Sequence, residues 1–164
     1  MKLTLVVFII SIGSFTIFSA PSNLLFDGHS LTLPNPNTNQ IQSWKAGSGR
    51  PFSTEKDQSQ KNKGPIPEGV YTIRLDQSTF FNQTSHLKSK IKWLLNYIAW
   101  GDLAIPLEPA DSNTIYGRHS FMIHGGGWLI GSKGCIYVYS KSEEIHQILK
   151  KYPDNLKLVV HYEQ

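Results

Sequence analysis

The sequence predicts a mainly β domain with two short helices. Three observations carry this reading. Thirteen glycines and nine prolines punctuate 164 residues, of which only 17% are charged, a turn-rich composition that suits many short strands better than a helical bundle. Several segments of four to eight residues are apolar or alternate apolar with polar between turn residues, and only two stretches space their apolar residues at helical intervals. The length fits one domain with a single hydrophobic core that needs no covalent staples.

Met1-Lys2 precedes an uncharged, mostly apolar run from Leu3 to Phe18, followed by the small residues Ser19 and Ala20. That is the layout of a secretory signal peptide, so residues 1–20 are expected to be the export signal and 21–164 the folded domain. Left uncleaved, the run would act as a membrane tether. Leu24 to Leu33 reads as a hairpin, with Asp27-Gly28 supplying the positive-φ turn. Ile41 to Ala46 is the next strand, and the polar span Gly47 to Lys63 is expected to be a mobile loop.

Gly64-Pro65-Ile66-Pro67-Glu68-Gly69 is a rigid turn that opens into the alternating strand Val70 to Leu75. Leu87, Ile91, Leu94, Leu95 and Ile98 predict a helix over about 85–98, whose neighbours Trp93, Tyr97 and Trp100 belong either to a groove or, more simply, to the core. Asp102 to Leu107 is a strand that Pro106 assigns to a sheet edge. Ser120 to His124 and Ile136 to Tyr139 are two more strands. Ser140 and Glu143 form a capping box before a helix carrying Ile145, Ile148 and Leu149, with His146 on its surface. Leu156 to Tyr162 is a final strand.

A pI near 9.1 is compatible with an anionic partner, but the basic residues are scattered, which argues against a nucleic-acid surface. There is no internal repeat, phosphate-binding loop or dinucleotide fingerprint. Chemistry concentrates instead between residues 117 and 136. Cys135 is the only cysteine, so it is an inert core residue, a bridge between two copies, or a reactive thiol. Its surroundings favour the last. His124 ends one strand eleven residues earlier, and glycines flank both positions. An imidazole within hydrogen-bond reach can take the thiol proton and hold the thiolate, lowering a pKa that is ordinarily about 8.5. Glycine beside the thiol lets the N–H groups of Gly134 and Cys135 point at one developing oxyanion. Arg118 stands an even number of residues before His124, so on a regular strand the two share a face. It suits a bidentate clamp for a peptide carboxylate, with a surface salt bridge as the plainer role. His119 then points the other way, and with one Cys and no carboxylate close by, no metal or other cofactor is expected.

These residues resemble the L,D-transpeptidase (YkuD-like) catalytic domains of bacterial cell-wall enzymes, whose signature joins Ile-His-Gly to Ser-His-Gly-Cys-aliphatic-Arg. Ile123-His124-Gly125 and Ser132, Gly134, Cys135 and Ile136 fit, whereas Lys133 replaces the second His and Tyr137 the Arg. The likeness is closer to a divergent branch that includes type VI secretion effectors. That branch shares Gly64-Pro65-Ile66-Pro67-Glu68-Gly69-Val70-Tyr71, then Gly117-Arg118 with Phe121-Met122-Ile123-His124-Gly125, then Gly131-Ser132-Lys133-Gly134-Cys135-Ile136.

The resemblance implies a β-sandwich or barrel and acyl transfer through a Cys135 thioester, with His124 as the proton shuttle. It implies peptidoglycan stem peptides as partners, held by Arg118, Gly125, Ser132 and Lys133. The thioester would pass to water, giving L,D-carboxypeptidase activity, or to an amine, giving cross-links or D-amino-acid exchange. With the export signal, it implies the periplasm or envelope of a bacterium. Two other readings stand beside this one: a catalytically silent cell-wall binding module, and an antibacterial toxin that uses the same chemistry and is paired with an immunity protein.

Overall fold

A computed structural model describes residues 23–35, 40–81, 99–126, 131–139, 142–152 and 156–162. The expected signal peptide, the helix over 85–98 and the Ser140 end of the capping box lie outside these residues. Among these residues nine strands form one sheet: β1 (Leu24–Phe26), β2 (Ser30–Pro34), β3 (Ile41–Ser48), β4 (Gly69–Ile73), β5 (Thr79–Phe80), β6 (Leu103–Pro109), β7 (Phe121–His124), β8 (Ile136–Val138) and β9 (Lys157–Val160). Their order is β4-β9-β1-β2-β3-β8-β7-β6, and β6 pairs back onto β4, so eight strands close a barrel while β5 hangs on β6. The mainly β class is as the sequence predicts.

The β1–β2 hairpin turns where expected. One carboxylate oxygen of Asp27 accepts from the amides of His29 and Ser30 at 2.8 and 2.7 Å, and Gly28 takes the positive φ. Alternate residues of each strand point inward. Leu24, Phe26, Leu31, Leu33, Tyr71 and Leu158 meet in the barrel, and helix α1 (Ser142–Leu149) seals it with Ile145 and Leu149.

Three expectations need correcting, and the start of α1 shows a contact that the sequence did not suggest. Pro106 sits in the body of the sheet, between β7 on one side and β4 and β5 on the other. Its carbonyl accepts from Arg74 at 2.9 Å, and the Arg74 carbonyl, which a donor at this position would face, accepts instead from Gln77 at 3.1 Å. The span after β3 is a folded excursion rather than an open loop. Arg50 donates to the Lys63 carbonyl at 2.8 Å, Gly64 to that of Gln60 at 2.9 Å, and a 3-10 turn (Glu55–Asp57) starts where the Thr54 amide meets the Asp57 carboxylate at 2.9 Å. The first amides of α1 are capped from a distance, by the Asp102 carboxylate, which accepts from Ser142 at 3.1 Å and Glu143 at 3.3 Å. His146 is buried on α1, edge-on to Phe80 with ring centroids 5.4 Å apart, and burial lowers its pKa. Among the described residues, no helix is long and apolar enough to cross a membrane.

Candidate active site

The parallel pair β7–β8 places the two chemical residues. Ile123 pairs with Ile136 and His124 with Tyr137. Phe121, Ile123, Ile136 and Val138 are buried inward, so Met122, His124, Tyr137 and, one residue ahead of β8, Cys135 alternate onto the outer face. His124 and Cys135 are therefore diagonal neighbours on one surface of adjacent strands.

His124 is only 3% exposed although it faces outward. Trp100 covers it, with ring centroids 5.0 Å apart at 53°. That cover depends on glycine: a Cβ on Gly101 would strike the Gly125 backbone, and one on Gly126 would strike that of Trp100. Burial lowers the imidazole pKa to about 4, with the Gly126 backbone opposing by a smaller amount. Nδ1 is buried without a hydrogen-bond partner among the described residues.

Cys135 is half-buried, and its Sγ lies 3.7 Å from the carbonyl oxygen of Ser120. Ser120 holds that carbonyl in place at φ 61, a left-handed conformation uncommon outside glycine. Desolvation pushes the thiol up to about 11, with the Met122 backbone and the Arg118 charge acting in the opposite direction. Both shifts favour the neutral forms, thiol and imidazole. Burial thus works against the thiolate ion pair expected from the sequence, with the Arg118 charge opposing it at the thiol.

Around the thiol, the turn from Gly131 to Cys135 is tied by serine hydroxyls. Ser132 Oγ accepts from Gly49 N–H at 3.0 Å and Gly134 N–H at 3.2 Å, and donates to the Cys135 carbonyl at 2.5 Å. Ser48 Oγ donates to the same carbonyl at 2.9 Å and accepts from Ile66 N–H at 2.8 Å. Two of the expected roles change in consequence. The Gly134 amide, expected to face an oxyanion, is directed at Ser132 Oγ. Ser132, expected to contact substrate, is buried with its hydroxyl engaged by backbone groups.

Arg118 is the largest departure. It is 3% exposed, and its guanidinium donates to four backbone carbonyls: Gln58 and Pro65 at 2.6 Å each, Gly64 at 2.9 Å and Lys133 at 3.3 Å. It also lies over the inward-facing Phe121 ring, 5.5 Å from the centroid. Even spacing misled because β7 starts at Phe121. Ser120 at φ 61 breaks the extended phase between residues 118 and 124. Gly125 is committed as well, its amide donating to the Trp100 carbonyl at 3.1 Å, whereas the Lys133 side chain is exposed.

Sequence reasoning passed over Ser48 and Asp102, which show no signal except their identity as small polar residues at strand ends. Tyr137 stands where the signature Arg would be. Its phenol lies across Gly47 on β3, where any Cβ would collide with it, and its ring is 5.8 Å from that of Tyr139. No group of three or more His, Cys, Asp or Glu that could hold a metal ion occurs among the described residues.

With this geometry the chain matches the model of the Tlde1 domain over residues 42–161. The chain belongs to the Tlde1 domain family. Tlde1 domains are YkuD-like and associated with type VI secretion effectors, the divergent branch that the three sequence blocks resemble. The match begins in β3 and ends just beyond β9, so it contains every residue of the site. A single cysteine in a Tlde1 domain is consistent with the cysteine chemistry of this enzyme family and with peptidoglycan-related partners. Comparison with curated proteins returns no match.

Proposed function

We propose that the domain cleaves or exchanges peptidoglycan stem peptides by acyl transfer through Cys135. The supporting observation is that His124 and Cys135 share one outer face on adjacent strands, with an unpartnered, buried Nδ1 on the histidine. A neutral imidazole is the form that can accept a proton, and burial keeps it neutral down to about pH 4.

Substrate closes over the pair and aligns a peptide carbonyl with Sγ. His124 takes the thiol proton as the C–S bond forms, and Cys135 N–H steadies the oxyanion. The tetrahedral adduct collapses, the C–N bond breaks, and the leaving amine takes the proton from His124. In the family resemblance that bond joins the L-centre of diaminopimelate to a terminal D-alanine. Water or a second amine then gives its proton to His124 and attacks the thioester, and as the C–S bond breaks His124 returns that proton to the sulfur, restoring the thiol. Hydrolysis needs no acceptor pocket, and Tyr137 in place of the signature Arg favours it over transpeptidation.

The test is digestion of purified peptidoglycan with product masses read by mass spectrometry. Loss of the terminal residue from tetrapeptide stems, abolished in both Cys135→Ala and His124→Ala, is the expected result. Binding without any mass change, equal in wild type and Cys135→Ala, would instead mark a silent wall-binding module. We further propose that residues 1–20 are removed on export to the periplasm or envelope. Intact-mass measurement on protein recovered from the envelope checks this, and full-length chain in the membrane fraction would show a tether.

A further inference from the structure

We infer that Arg118 is a positioning residue for Cys135: its guanidinium pins the Gln58–Pro65 segment to the Lys133–Gly134 turn and so fixes where the thiol stands. The inference rests on the acyl-transfer reading for its purpose but on geometry for its content. One planar fork joins three separate parts of the chain. Nη1 donates to Gln58 and Pro65, and Nη2 to Gly64 and Lys133. These partners come from two of the three shared sequence blocks and the excursion before them, while Arg118 belongs to the remaining block.

Gly134 completes the arrangement. It holds φ 116 one residue before the thiol, and a Cβ there would overlap Arg118 Nη2. The space a side chain would occupy is filled by the guanidinium, so Arg118 and Gly134 are matched parts. An arginine with four carbonyl partners has little left for a substrate carboxylate, and a lysine, with a point charge on a flexible stem, cannot bridge the same span. The titratable groups whose charges act on Arg118 are Cys135 and the Tyr71 and Tyr162 phenols. Burial pushes both phenols well above the usual tyrosine range, so the thiol ionises first as pH rises.

The experiment follows Cys135 alkylation by iodoacetamide from pH 7 to 11 in the full domain and in Arg118→Met and Arg118→Lys, each checked by circular dichroism and urea unfolding. No substrate is involved, so the result stands even if the peptidoglycan reaction fails. Wild type should show a midpoint near 11. Release of the turn hydrates the thiol, so both variants should fall by about two units, toward the ordinary cysteine value of about 8.5. A rise in Arg118→Met alone would make the arginine merely a charge near the thiol. An unchanged midpoint in a folded variant would make it a strut unconnected to the site. Either result overturns the inference. Should neither variant fold, Gly134→Ala leaves the arginine in the chain but displaces Nη2, and must give the same fall.

Discussion

Ser48 and Ser132 grip the same atom: both hydroxyls donate to the carbonyl oxygen of Cys135, one from the end of β3 and one from within the turn. Ser132 also accepts two amides that have no other partner among the described residues, whereas Ser48 accepts one. Ser132→Ala should therefore cost about 1–3 kcal/mol, and Ser48→Ala less, with the larger loss set by two stranded N–H groups. Urea unfolding of the two variants measures this. Equal costs would show that the amides find other partners.

Acid should destabilise the domain through His124. Its folded pKa is depressed from 6.5 to about 4, so between those values the unfolded chain binds a proton that the folded chain refuses. The stability it contributes is fully present above pH 6.5 and lost as pH falls to about 4. A shift of this size corresponds to about 3 kcal/mol. His124→Gln should flatten the pH dependence of unfolding in that window, and a slope unchanged in the variant would assign the acid sensitivity elsewhere.

At the alkaline end Cys135 works in the opposite sense. Its folded pKa is raised from 9.0 to about 11, so its contribution is complete below pH 9 and lost as pH rises toward 11. Unfolding midpoints of wild type and Cys135→Ser between pH 8.5 and 10.5 should converge as the solution becomes more basic.

Asp102 reaches across 40 residues of sequence to cap α1. Its Oδ1 also takes the Ser142 hydroxyl at 2.5 Å, and it lies where a Cβ on Gly125 would touch it. Asp102→Ala should cost about 1–2 kcal/mol, and Asp102→Asn less. If the helix cap also seats Gly125 beside His124, the histidine titration followed by NMR should move in Asp102→Ala and remain in place in a control that weakens α1 at its far end, such as Leu149→Ala.

The sequence showed the strands that alternate and the residues that react, because both leave local marks. Asp27-Gly28 announces a hairpin, and Ile123-His124-Gly125 and Gly134-Cys135 announce two loop ends. What it concealed is set by contacts across long separations. Arg118 could be read as a clamp only while residues 118–124 were taken as one strand, and its four carbonyl partners lie 15 to 60 residues away. His146 read as a surface residue because nothing near it reveals that Phe80 packs against it. The direction of the Cys135 and His124 shifts was hidden for the same reason, since it depends on how much chain covers them.

The barrel's seam has a consequence for how the protein is made. β9 lies between β1 and β4, parallel to the first and antiparallel to the second, so the earliest and latest of the described strands are direct neighbours. Closing it joins Leu24 to Leu158, across most of the chain. No ribosome-bound intermediate shorter than about residue 160 can complete the wall, and such non-local pairing folds slowly. The barrel therefore cannot close until nearly all of the described strands have been made.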